Sequence, residues 1–153
     1  LSISLLLVLT EQNQLFMQLN LLFSRWSQVA GAFLMGGTVA WAIKLAVIVS
    51  TNGRIITSGA AALFMTIGIV LLLIGSTGIG YHLSRNRNLW VRAIAVILSP
   101  ALVFGSFILI GMVTNPLLKD SSIWYAQQEA PIAVAVIVYM VVGYLLYRSG
   151  KRV

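Results

Sequence analysis

Four continuous apolar runs, at residues 29–50, 55–81, 89–114 and 130–147, decide the class of fold before any motif is considered. A helix crosses a hydrocarbon layer about 30 Å thick with about 20 apolar residues, within a range of roughly 17 to 25 or longer when tilted. Each run is long enough. A membrane barrel is a poor alternative, because barrel strands alternate lipid-facing and lumen-facing residues over short segments, whereas these runs are continuously apolar. The expected fold is therefore all-α: a polytopic membrane protein with a four-transmembrane-helix bundle. With 59% hydrophobic and 8% charged residues, the chain could not solvate the surface of a soluble domain. Its 153 residues suffice for one bundle and no separate soluble domain of useful size. There is no Cys, which removes disulfides, thiol nucleophiles and thiolate metal sites.

Orientation follows from the Lys and Arg residues flanking the spans. Arg25 precedes the first span, Arg85 and Arg87 fill the second loop, Arg92 lies just inside the third span, and Arg148, Lys151 and Arg152 end the chain. On the other side the first loop has Arg54, and the third sets Lys119 against Asp120 and Glu129. An even number of spans puts both termini together, and the basic excess puts them in the cytoplasm, with a bacterial cytoplasmic membrane as the expected location. Trp26, Tyr81, Trp90 and Tyr147 near one interface and Trp124 and Tyr125 near the other form the aromatic belts such a topology calls for. The net charge of +7 thus reads as a topology signal that favours anionic lipid on the cytoplasmic side. No basic helix or aromatic-interleaved surface accompanies it, so nucleic-acid binding is not expected.

Residues 1–28 form a separate N-terminal segment, followed by the bundle at 29–147 and a basic tail at 148–153. The stretch 1–9 is apolar but runs into Thr10-Glu11-Gln12-Asn13-Gln14, too early to span, and it lacks the basic start of a secretory signal. Leu15, Phe16, Leu19, Leu22, Phe23 and Trp26 then recur at helical spacing on one face. This pattern predicts an interfacial amphipathic helix, serving as a surface anchor or as a dock for a partner helix.

Within the spans Lys44 stands out. A Lys at a helix centre costs about 2.5–3.5 kcal/mol on insertion scales. Lys44 lies six residues before Ser50, about 9 Å from the outer end at 1.5 Å per residue, so its stem reaches the headgroups, and snorkelling is the plainer reading. The functional reading is an anion, substrate or proton site, for which Glu129 and Asp120 at the outer mouth are the acidic candidates. Pro100 in the middle of the third span should kink it and free the carbonyl of Val96, which Ser99 can help satisfy. Lys44, Pro100 and Glu129 are accordingly the candidate pathway residues. The loop 115–129 is the longest expected connection, and Glu129-Ala130-Pro131 reads as a helix start, with acidic charge and Pro in the first turn.

Small residues mark faces for close helix approach in lipid. Ala32, Gly36 and Ala40 recur every fourth residue in the first span; Ala61, Gly68 and Gly75 recur every seventh in the second, and the series ends on His82. His82, the only histidine, could ligate a haem or pigment if Gly78 leaves room for a ring; an ordinary polar anchor is the simpler role. The sequence names no cofactor, and one His with three acidic residues and no Cys closes no metal set within one chain. Gly75-Ser76-Thr77-Gly78-Ile79-Gly80 departs from the G-x-G-x-x-G order and follows a long apolar helix, so it is read as a packing segment, not a nucleotide loop. No Ser-His-Asp set, intramembrane carboxylate pair or phosphate cradle is present, and enzyme activity is not expected. The leading expectation is a non-catalytic accessory or scaffold subunit of a larger membrane complex, with a protein partner or homo-oligomer. A small homo-oligomeric transporter or channel is the alternative, and a pigment- or haem-binding subunit a second one.

Overall fold

Long, continuously apolar stretches with few breakers satisfy their backbone groups in lipid by forming helices, and the computed structural model, which describes Gln14 and residues 25–150, is helical between short turns. The helices are α1 (Trp26–Ser50), α2 (Gly59–Leu83), α3 (Leu89–Leu117) and α4 (Ala126–Gly150), with no strand among the described residues. All four are long and apolar enough to cross a membrane. The expected interfacial helix of residues 1–28 lies outside the described residues except for Gln14 and its last few positions.

Helix ends fall where capping chemistry puts them, which shifts several expected boundaries. At the end of α1, Asn52 N–H bonds the Val49 carbonyl (3.1 Å) and Gly53 N–H the Ile48 carbonyl (2.9 Å), a Schellman closure. Asn52 (φ 49°) and Gly53 (φ 75°) supply the left-handed backbone it needs. At the start of α3, Asn88 Oδ1 accepts from Val91 N–H at 3.0 Å, a side-chain N-cap. Helix α4 begins at Ala126 rather than at 130, so Pro131 stands in its second turn, not its first. The third connection shrinks to residues 118–125 and shares the greatest length with the first, 51–58.

Helix α1 packs on α2 and α4, and α3 closes the ring between α2 and α4, diagonally opposite α1. Glycine brings the backbones together. A Cβ on Gly75 would meet Leu34 N and Ala30 O of α1 at 2.5 and 2.9 Å; one on Gly31 would meet Tyr147 N and Gly143 O of α4 at 2.5 and 2.7 Å. At the bundle centre Trp41, 1% exposed, lies over Gly68 and 5.5 Å from the Phe107 ring of α3. Its Nε1 donates to the Met65 carbonyl at 3.4 Å. Gly150 sits against Gln28, so the two ends of the described bundle lie side by side.

Helix α3 is the least enclosed, with Ser99 and Val103 its buried residues. One polar cluster ties it to α4. Tyr139 of α4 donates to the Val103 carbonyl at 2.7 Å, and its hydroxyl is 2.9 Å from that of Ser106. Substituting Tyr139→Phe is expected to cost about 0.6–1.7 kcal/mol, the range for interhelical hydrogen bonds in lipid, and Ser106→Ala on that background little more, since the two hydroxyls share one carbonyl. A double-mutant cycle by thermal unfolding in detergent checks it. Lower down, Pro100 lacks the N–H that would reach Val96, and Ser99 Oγ donates to that carbonyl instead at 2.9 Å.

Candidate functional site

Lys44 does not snorkel. Its Nζ turns into the bundle and donates to Glu129 Oε2 at 2.6 Å, with Lys44 and Glu129 each 4% exposed. The physical reason is the early start of α4. With the helix running from Ala126, Glu129 is a helical residue stacked beside α1 rather than a loop residue at the mouth. Trp41 and Ile48, fully buried one turn to either side of Lys44, leave the inward direction as its stripe on α1. Glu129 keeps the favourable position near a helix N-terminus and adds to it an ion pair from a residue 85 positions away.

The pair is incompletely satisfied. Glu129 Oε1 is buried without a hydrogen-bond partner among the described residues. Taking two charges out of water costs several kcal/mol each, and their attraction offsets this fully only where the remaining lone pairs are also bonded. A carboxylate with one oxygen engaged and one unpaired keeps acceptor capacity for a further hydrogen-bond donor. Asp120, the other acidic candidate, lies in the turn after α3 and takes no part in the ion pair.

The remaining candidates are placed elsewhere. Pro100 lies eleven residues beyond the start of α3 at the end where the termini meet, whereas Lys44 lies six residues from the opposite end of α1; the two occupy different depths. His82 is exposed at the end of α2 and borders a groove of about 340 Å³ with Ile79, Val142 and Leu145. The ring space expected beside Gly78 is already filled, since a Cβ there would overlap Ala30 and approach Leu146 at 3.0 Å. Among the described residues no cluster of three His, Cys, Asp or Glu could hold a metal.

Small residues divide by helix. Ala61, Gly68 and Gly75 are buried, the two glycines directly against α1. On α1, however, Ala32 is exposed and Gly36 half-buried, and both line a shallow outward groove of about 430 Å³ with Phe33 and Leu71; Ala40 alone of that ridge is buried. The close contacts are made by Gly31 and Gly37, turned away from that ridge, and by Gly143, none of which the fourfold spacing selects. Interhelical pairing of Gly31 with Gly143, and the Tyr139–Ser106 contact, were legible only as small or polar residues in apolar runs.

Comparison with protein-family models, curated proteins and solved structures finds no match to this chain.

Proposed function

We propose that this chain is a non-catalytic small integral membrane protein that serves as an accessory or scaffold subunit of a larger membrane complex, with both termini cytoplasmic. The supporting observation is the asymmetry of the bundle. Helices α1, α2 and α4 close on one another through glycine contacts and an ion pair, while α3 carries 29 residues and buries two. Leu98, Leu102, Leu109, Met112 and Val113 form an outward apolar face on it. Close-packed helices α1, α2 and α4 hold that face rigidly, which suits a subunit whose task is to present one helix to others. The test is isolation of the full chain in mild detergent with a photo-crosslinking residue at Leu109 or, as control, at Val39 on α1. A discrete protein adduct from Leu109, none from Val39 and co-purification at fixed stoichiometry are expected. A chain that runs alone, monodisperse and without adducts overturns the reading.

The buried Lys44–Glu129 ion pair, with Glu129 Oε1 unpaired among the described residues, favours one second reading, a small transporter or channel using that pair. In proteoliposomes of the purified chain, Glu129→Gln should then abolish a proton or cation flux that the unmodified chain supports. Equal flux from both removes the pair from any pathway.

A further inference from the structure

At the end of the bundle where the termini meet, α1, α2 and α3 enclose a groove of about 490 Å³ lined by Trp26, Thr77, Tyr81, Arg92, Ala93 and Val96. Its size is that of a ligand site, and its walls are mostly apolar with one charged group. That group is held in place. Arg92 Nη2 donates to the Arg85 carbonyl at 2.6 Å, and the guanidinium stands over the Tyr81 ring, 5.4 Å from its centre. Its Nε is buried and has no hydrogen-bond partner among the described residues. An arginine left with unused donors beside an apolar trough is built to receive an anion attached to something apolar. The trough has a floor, because α2 and α3 touch at backbone level where a Cβ on Gly80 would overlap the Ala95 carbonyl.

Charge identifies the occupant. Arg25, Arg85, Arg87, Arg92 and Arg148 all lie at this end, while the described acidic residues, Asp120 and Glu129, lie at the other. Nothing acidic on the described chain neutralises the cluster. Trp26 and Tyr81 add aromatic rings of the kind that sit at headgroup level. Leu89 at the start of α3 also lines the groove, and both it and the adjacent Trp90 are exposed. A soluble anion would match the arginines but not the apolar walls, and a neutral lipid would match the walls but not the cluster.

We propose that this groove holds one anionic phospholipid, its phosphate on Arg92 and an acyl chain against Trp26, Ala93 and Val96. The site is independent of the accessory-subunit reading, since it requires no protein partner. The test is native mass spectrometry of the full chain released from micelles containing equal amounts of phosphatidylglycerol and phosphatidylcholine. Retention of phosphatidylglycerol over phosphatidylcholine is expected, with Arg92→Gln reducing that ratio about fivefold, the worth of one arginine at a headgroup. Ala93→Trp keeps every arginine but fills the trough, and should expel the lipid; Ala93 is exposed, so the fold tolerates the change. Arg54→Gln at the opposite end should leave the ratio as it was. No preference in the unmodified chain overturns the site, as does retention that both groove variants leave unchanged. If Arg92→Gln gives no monodisperse protein, retention in Ala93→Trp decides alone. A dimer of the chain that Ala93→Trp disperses would assign the groove to a second copy and equally overturn the proposal.

Discussion

Replacing Glu129 by Leu is expected to destabilise the bundle by about 3–5 kcal/mol, the cost of leaving a buried charge without its partner. Lys44 is 4% exposed and faces the bundle interior, so it has no solvated position at hand once the carboxylate is gone. Changing both partners, Lys44→Met with Glu129→Leu, should recover most of the loss, because packed apolar side chains replace a buried pair at little net cost. The measurement is unfolding of the purified chain in mixed micelles, with the two single variants and the double variant compared. A double variant no better than Glu129→Leu alone would show that the pair itself, rather than its unpaired halves, holds α1 to α4. The same set separates structure from function: if the double variant is folded but has lost a flux or a partner that the unmodified chain shows, the charges serve more than packing.

The second large effect is expected where helix backbones touch. Gly31→Val and Gly75→Val should each cost about 1–3 kcal/mol or more, because the first new atom meets backbone N and O atoms within 2.5 to 2.9 Å, and backbone cannot rotate out of the way as a side chain can. Gly105 is the control. A Cβ there meets nothing within 4 Å, so Gly105→Ala should raise stability by up to about 1 kcal/mol through helix propensity alone. Gly36→Ala, whose nearest neighbour is a Leu71 methyl at 3.6 Å, should resemble the control and not Gly31, although the two glycines lie on the same helix. Thermal unfolding of the four variants in one detergent ranks them, and equal losses at Gly31 and Gly105 would contradict the packing described.

How far such contacts are legible in the sequence depends on the solvent the chain is written for. The four helices follow from hydropathy and its continuity, because lipid admits only helices and closed barrels and barrel strands alternate. Their ends do not, since hydropathy is blind to capping; Asn88, Asn52 and Gly53 carry that information in single residues. Lys44 announces itself by its transfer cost, but its partner does not, being 85 residues away and outside the fourth apolar run. Facing is the hardest to read. In water, a polar stripe marks the outer side of a helix; in lipid, the outward and inward sides of α1 are equally apolar, and small residues occur on both. That is why spacing alone does not tell the two series apart: Ala61, Gly68 and Gly75 on α2 are buried and only the His82 end of that series is exposed, while the fourfold series on α1 runs outward at Ala32, with the true contact at neighbouring Gly31.

The distance in sequence between Lys44 and Glu129 also imposes an order on synthesis. Helix α1 is the least hydropathic of the four described helices and precedes the others in the chain, carrying its lysine; the carboxylate that pairs with it is made only with α4. Until α4 arrives, the nascent protein holds an uncompensated charge worth about 2.5–3.5 kcal/mol against insertion. A chain truncated before residue 126 should therefore let α1 slip toward the headgroups, and arrival of α4 is the event that draws it to its final depth.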